Sequence, residues 1–171
     1  MKSTLIIIDL QNDYFQDGSY PLWNADGVLE NIKKTITRAN EQNIPVVFIQ
    51  HVVPAGEQMG PFFNEGTEGV KIHSELLALA PDAKIITKMF ADGFHKTELE
   101  STLSELGTEK IYVCGMMTQN CVTHTAISKQ AEKYQVAVIP ECCTSVDEMI
   151  HLFAMHAIST RVEFESVDQI K

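Results

Sequence analysis

The chain has 171 residues, 44% of them hydrophobic, and its 13 Lys and Arg against 23 Asp and Glu give a formal net charge of −10. This length fits one domain with a full hydrophobic core, so we predict a single domain over residues 1–171. Acidic residues outnumber basic ones and the sequence has no basic cluster, which argues against charge-driven binding to nucleic acid or to an anionic membrane.

The N-terminus and the cysteines favour a cytoplasmic protein. No hydrophobic run approaches the roughly 20 residues of a membrane helix. The opening MKSTLIIIDL reaches an aspartate where a signal peptide would continue apolar. The four cysteines, Cys114, Cys121, Cys142 and Cys143, are not spaced as a disulfide framework.

Apolar β-rich runs alternate with amphipathic segments along the chain. The runs predicted as strands are residues 4–9, 45–51, 84–88, 110–115, 135–140 and 161–164. The segments predicted as helices are residues 27–42, 97–106, 120–134 and 147–159. The alternation predicts an α/β fold: a three-layer Rossmann-like sandwich in which a six-stranded parallel sheet is flanked by helices on both faces. Residues 11–25 and 53–72 lack either pattern, and we expect a substrate lid or a subunit contact there.

Three reactive side chains fall at one edge of this predicted sheet. Asp9 ends the first strand, Lys88 ends the third, and the fourth leads into a loop that delivers Cys121 to the start of a predicted helix. Each residue alone is commonly structural, as a cap, a solvated lysine or a small buried hydrophobe. Ligands of open α/β sheets bind beyond the carboxyl ends of the strands, so the combination indicates a functional site.

These residue types together suit nucleophilic catalysis. A cysteine thiolate is stabilised by a helix N-terminus and by a nearby ammonium such as that of Lys88. The carboxylate of Asp9 can take the thiol proton and return it to a leaving amine. Backbone N–H groups of the loop from Met117 to Cys121 can face a developing oxyanion. The pattern predicts acyl transfer.

Four motifs occur in order along nearly the whole chain: TLIIIDLQNDYF, GTEGVKIHSEL, KMFADGF and CGMMTQNCVTHTA. With them the sequence resembles the isochorismatase-like cysteine hydrolases. The resemblance implies a catalytic triad of Asp9, Lys88 and Cys121. It also implies an oxyanion hole made by the N–H groups of Met117 and Cys121, and a cis peptide bond between Met116 and Met117.

One departure from the family concerns metal binding. Nicotinamidases of this family build a metal site from an aspartate and histidines in a DxHxxxH-like segment after the second strand. Here the corresponding QHVVPAGEQMGPFFNEG contains His51 alone. We therefore expect no catalytic metal, no cofactor and a substrate other than nicotinamide. Aromatic residues near the motifs suggest a small, partly flat or apolar substrate, with Phe15, Phe94 and Gln11 as the predicted contacts.

The sequence thus predicts a metal-independent cysteine hydrolase that cleaves a C–N bond of a small amide or related compound through a covalent acyl-enzyme. Hydrolysis of the vinyl ether of isochorismate, as in one family branch, and a non-catalytic ligand-binding role both remain open. Family habit and the apolar helices predict a homo-oligomer, either a dimer or a tetramer.

Two other protein classes fit the sequence less well. A nucleotide-binding reductase would need a glycine-rich phosphate loop after the first strand, where this chain has DLQND. An aspartyl-phosphate protein would need further aspartates, and no DxD follows the first strand. A redox role for Cys142 and Cys143 is disfavoured, because adjacent cysteines form strained disulfides.

Overall fold

A computed structural model describes residues 1–56 and 58–171, and within that part of the chain six parallel strands form one sheet. Their bounds are β1 (Ser3–Ile8), β2 (Val46–His51), β3 (Lys84–Lys88), β4 (Lys110–Met116), β5 (Gln135–Thr144) and β6 (Glu163–Phe164), in the order β3-β2-β1-β4-β5-β6. Every neighbouring pair is parallel. The predicted α/β fold class is confirmed.

In the described residues five α-helices connect these strands: α1 (Ala25–Glu41), α2 (Ser74–Leu79), α3 (Leu99–Glu105), α4 (Thr123–Ala126) and α5 (Glu148–Ile158). In α1, Val28, Ile32, Ile36 and Ala39 recur at helical spacing and are all buried. This apolar stripe is what a helix needs to pack on a sheet. The helix α2 was absent from the sequence prediction, which treated the preceding residues 53–72 as a long loop.

The predicted continuous helix over residues 120–134 is wrong. A π-helical turn at Thr118–Val122 leads into α4, which ends at Ala126, and a turn of 3-10 helix follows at Ala131–Lys133. Beyond α4 the Ser128 hydroxyl donates to the Asp92 carboxylate at 2.7 Å. The Ser128 hydroxyl also accepts from the Gln130 N–H at 3.4 Å, and local side-chain bonds of this kind to the backbone compete with helical continuation.

The central strands are buried on both faces. Leu5 to Ile8 in β1 and Ile111 to Cys114 in β4 have almost no exposed surface, as expected where helices cover a parallel sheet. At Gly115, φ is +125° and an added Cβ would lie 2.1 Å from the Ile8 carbonyl oxygen. Glycine is therefore required for β4 to run this close to β1.

Two strands, β5 and β6, have bounds that differ from the prediction. β5 continues to Thr144, past the predicted end at residue 140, and its pairing with β4 is irregular between Val113 and Gly115. Cys142 and Cys143 therefore lie inside a strand, buried and reduced. β6 has only two residues, because residues 161 and 162 precede the paired segment.

The strand order reverses beside β1, which lies between β2 on one side and β4 on the other. Such a switch point opens a crevice at the carboxyl ends of the strands, where α/β proteins bind ligands. Asp9 follows β1 directly, and the loop bearing Cys121 follows β4. Among the described residues no helix combines the length and the apolar character needed to cross a bilayer.

Candidate active site

The Asp9 side chain is fully buried immediately after β1. Its φ of +53° lies in the left-handed region, which non-glycine residues rarely adopt and which tends to occur at functional positions. Its Oδ2 accepts a hydrogen bond from Lys88 Nζ at 2.9 Å. Its Oδ1 is buried and has no partner among the described residues, so one acceptor of the carboxylate is free to take a proton.

Lys88 is the last residue of β3 and is only 2% exposed. Its Nζ lies 2.9 Å from Asp9 Oδ2, 3.2 Å from Cys121 Sγ and 2.8 Å from His51 Nδ1. A lysine ammonium has three N–H donors, so each donor has one acceptor here. Burial lowers the pKa of Lys88, but the charges of Asp9 and Cys121 outweigh it, and the net pKa is raised. The side chain is held as a cation.

Cys121 lies in the π-helical turn that follows β4 and is 3% exposed. Such turns are frequent at functional sites. Burial raises the pKa of the Cys121 thiol and the Asp9 charge raises it further, while the Lys88 ammonium opposes both. The resting thiol therefore keeps its proton beside a carboxylate that can accept it. Because α4 has only four residues, Lys88 supplies the positive charge that the sequence analysis assigned partly to a helix.

His51 is the last residue of β2 and is paired in register with Lys88 on β3. Residues in register point to the same face of a sheet, which brings the imidazole to the ammonium. Burial lowers the pKa of His51 and the Lys88 charge lowers it further, although Asp9 opposes this. No motif in the sequence predicts this contact. The available signal was that His51 closes its strand just as Lys88 closes the next one.

The Gln11 side chain holds His51 at this position. Gln11 Oε1 accepts from the His51 N–H at 2.8 Å, and Gln11 Nε2 donates to the His51 carbonyl at 2.8 Å. Nε2 also donates to the Val70 carbonyl at 2.7 Å. Both amide donors are thus used by backbone oxygens. The structure gives Gln11 a role in positioning β2, and its contact with substrate stays a prediction.

The loop before Cys121 is held by side chains from neighbouring elements. The peptide bond between Met116 and Met117 is cis. Thr118 Oγ1 lies 2.8 Å from His151 Nδ1 on α5, and the Ser145 hydroxyl donates to Gln119 Oε1 at 2.6 Å. These contacts fix the turn that carries the thiol.

Comparison with known proteins places this arrangement in a family. The family model for the isochorismatase domain matches residues 3–166. The chain belongs to the isochorismatase family. It is 32% identical over 145 residues to the uncharacterized isochorismatase family protein YddQ of Bacillus subtilis, covering 85% of this chain and 79% of that protein. It is 30% identical over 154 residues to the ureidoacrylate amidohydrolase RutB of Yersinia enterocolitica, covering 72% and 66% respectively.

A solved structure of a putative isochorismatase hydrolase from Oleispira antarctica superposes with a TM-score of 0.87 at 26% identity, covering 98% of this chain and 95% of that one. The resemblance deduced from the sequence motifs is confirmed. The chain is an isochorismatase-family hydrolase, and such enzymes act on small molecules.

The metal site of some isochorismatase-family members does not fit the residues present here. Ligand-type atoms of Asp9, His51 and Cys121 lie within 4.8 Å of one another, and these residue types do bind zinc. However, Lys88 Nζ is within hydrogen-bonding distance of all three. A zinc ion bound at about 2.0–2.3 Å from the same atoms would collide with the ammonium and be repelled by its charge.

Phe15 and Phe94, the aromatic residues predicted to contact substrate, pack against other rings of this isochorismatase-family chain. Phe15 packs on His73 with ring centroids 4.8 Å apart, and Phe94, 2% exposed, stacks with Tyr134. Substrate contact by Phe15 and Phe94 stays a prediction. The buried Tyr14 is electrostatically coupled to the site: burial raises its pKa, and the charges of Asp9 and Cys121 raise it further. No motif of the sequence distinguished it from Phe15.

A cavity of about 420 Å³ opens beside the end of β3; among the described residues its lining includes Lys88 but neither Asp9 nor Cys121. Its other walls include Val52, Val70 and Phe90, with Glu65 and Lys96 as the charged lining residues. The volume falls in the range of small-molecule sites, and the lining combines apolar walls with a few charges, as such sites do.

Proposed function

We propose that this chain is a cysteine hydrolase that cleaves a C–N bond of a small amide or related compound through Cys121, Asp9 and Lys88. One observation carries the proposal: a single buried ammonium contacts both the carboxylate that follows β1 and the sulfur that follows β4. A nucleophile, a base and an electrostatic partner are therefore within reach of one another.

The first half of the reaction uses the free oxygen of Asp9. Its Oδ1 takes the thiol proton as Cys121 Sγ attacks the substrate carbonyl carbon, and the carbonyl π electrons move to oxygen. The Lys88 ammonium stabilises the sulfur anion while it exists. When the tetrahedral intermediate collapses, the C–N bond breaks and Asp9 returns the proton to the leaving amine. The product of this half is a thioester on Cys121.

Water completes the turnover. Asp9 takes a proton from the water that attacks the thioester, the C–S bond breaks, and the proton returns to the Cys121 sulfur. In both halves the negative oxygen needs donors, for which we assign the N–H groups of Met117 and Cys121. In support, the Met117 N–H has no partner among the hydrogen bonds between described residues.

One further observation favours amide chemistry over vinyl ether hydrolysis, and another favours catalysis over simple ligand binding. The amidohydrolase relative from Yersinia enterocolitica is named for cleavage of ureidoacrylate. The Cys121 thiol lies beside a carboxylate with an unpaired buried oxygen, which suits a covalent mechanism better than simple ligand binding. Vinyl ether hydrolysis of isochorismate is the alternative that a substrate screen must include.

The test is a hydrolysis screen over small amides, ureides and isochorismate. Wild type is compared with Cys121→Ala and with the matched control Cys114→Ala, whose thiol is buried inside β4. We expect turnover of an amide or ureide that Cys121→Ala abolishes and Cys114→Ala retains, with an acyl adduct on Cys121 visible by mass spectrometry of quenched reactions. Full activity in Cys121→Ala would show that Cys121 is not the nucleophile.

The expected cytoplasmic homo-oligomer is also part of the proposal. The helix α5 exposes Met149, Leu152 and Phe153, each at 58% or more. Exposed apolar side chains grouped on one element commonly mark contact surfaces. Sedimentation of wild type and of a Leu152→Glu variant tests whether a second copy of the chain covers these apolar side chains. A monomeric wild type would contradict the proposed homo-oligomer.

A further inference from the structure

We propose that His51 is a positioning residue for Lys88: its Nδ1 accepts the third N–H of the ammonium and thereby fixes Nζ between Asp9 and Cys121. The inference rests on the proposed function, and it adds a residue that the triad does not contain. Its basis is the 2.8 Å contact between His51 Nδ1 and Lys88 Nζ in a buried site.

The position of the Lys88 ammonium explains why its third hydrogen bond, to His51, matters for the site. Its other two partners, Asp9 Oδ2 and Cys121 Sγ, are on β1 and on the turn after β4, whereas Lys88 reaches them from the edge strand β3. The long lysine side chain therefore extends past β2, where His51 lies. An acceptor at that point satisfies the remaining donor and prevents the ammonium from rotating away from the sulfur.

The contact requires one form of the imidazole. To accept from an ammonium, Nδ1 must carry a lone pair, so His51 is neutral with its proton on Nε2. The ionisable groups near this ring are Lys88 on β3, Asp9 after β1 and Cys121 after β4. The Lys88 charge and the burial of the ring both favour the neutral imidazole.

Neighbouring residues hold His51 in this position. Gln11, fully buried, binds both the N–H and the carbonyl of His51. The Phe63 ring lies 6.0 Å from the imidazole, centroid to centroid. With backbone and ring both restrained, Nδ1 has a fixed location from which to hold Nζ.

The test uses full-length protein with three variants: His51→Leu, which removes the acceptor; His51→Asn, whose carbonyl oxygen can still accept; and His156→Leu, an exposed histidine on α5, as the control. The first readout is the pH profile of Cys121 alkylation by iodoacetamide, with Cys121→Ala as the background. We expect His51→Leu to shift the profile to higher pH by about one unit, a roughly tenfold slower rate at neutral pH. His51→Asn should restore most of the rate, and His156→Leu should match wild type.

The second readout needs neither a substrate nor a reactive thiol. Histidine side-chain NMR on ¹⁵N-labelled protein should show His51 as the Nε2–H tautomer in wild type, and Lys88→Met should abolish that preference. A folded His51→Leu with a wild-type alkylation profile, or a wild-type His51 protonated at Nδ1 near neutral pH, overturns the inference. If wild type is alkylated no faster than Cys121→Ala, the proposed function fails, and the NMR result alone then decides the role of His51.

Discussion

The Lys88 ammonium and the Asp9 carboxylate form an ion pair of 2.9 Å in which both side chains have no exposed surface. A buried pair of this kind offers little net stability over apolar replacements, because taking both charges out of water is costly. Its retention at the carboxyl edge of the sheet is therefore better explained by chemistry than by stability. Because each charge is buried and lies 2.9 Å from the opposite one, the consequences of removing one partner can be stated.

Lys88→Met should be both inactive and unstable. It leaves the buried Asp9 without its partner, and breaking such a pair costs about 3–5 kcal/mol of unfolding free energy. Loss of the charge that stabilises the sulfur should reduce kcat at least about a hundredfold. Urea unfolding and the amide assay measure the two effects.

The control for this change is the double variant Asp9→Asn with Lys88→Met, which removes both charges. Its unfolding free energy should recover most of the loss, while its activity stays at background. If the double variant were as unstable as Lys88→Met alone, the instability would come from lost packing of the lysine stem and not from an unpaired charge.

Acidification should destabilise the protein through His51. Its pKa is lowered in the folded state by burial and by Lys88, so below its unfolded pKa of about 6.5 the unfolded chain binds a proton that the folded chain does not. The contribution of His51 to the unfolding free energy should therefore be constant above that pH and fall below it. His151 has a lowered pKa from burial as well and contributes in the same direction.

The check is urea unfolding of wild type, His51→Asn and the exposed control His156→Asn between about pH 8 and about pH 5. The decline on acidification should be shallower in His51→Asn and unchanged in His156→Asn. An equally steep decline in all three proteins would assign the effect to other groups.

Sequence patterns could predict the sheet because β1, β2 and β4 are short and largely apolar runs, and parallel strands buried on both faces have that signature. They could also predict the meeting of Asp9, Lys88 and Cys121, because all three lie at or after the carboxyl ends of strands, which converge at one edge. Both arguments depend only on chain order and strand direction.

The remaining features depend on geometry that local patterns do not encode. The contact of His51 with Lys88 follows from the register of β2 against β3. The proximity of Tyr14 to the site depends on a turn of 3-10 helix at Asn12–Tyr14, which apolar spacing does not reveal. After the break that follows α4, Ser128 bonds to Asp92, a residue distant in sequence that local patterns cannot pair with it.

Gly115→Ala should disrupt the site through the sheet. An added Cβ would lie 2.1 Å from the Ile8 carbonyl oxygen, and φ is +125°, so β4 would have to move away from β1. We expect a loss of about 3 kcal/mol or more in unfolding free energy. Gly56→Ala is the matched control, because no residue counted in the described part of the chain lies within 4 Å of its added Cβ. Similar stability of the two variants by thermal and urea unfolding would contradict the close approach of the strands.

Thr118→Val should separate positioning of the thiol from stability. The Thr118 hydroxyl is buried and joins the nucleophile turn to His151 on α5. Valine keeps the shape but loses this bond. Because His151 is half-buried and water can replace the hydroxyl, we expect a cost of only about 1 kcal/mol in unfolding free energy.

The catalytic effect of Thr118→Val should be larger than its effect on stability. A small displacement of the turn moves Cys121 Sγ relative to Lys88 and Asp9, so kcat should fall about ten- to a hundredfold with little change in KM. Thr118→Ser restores the hydroxyl and should restore kcat, as measured by steady-state kinetics on the amide identified in the screen. If valine and serine were equally active, the bond to α5 would have no part in aligning the nucleophile.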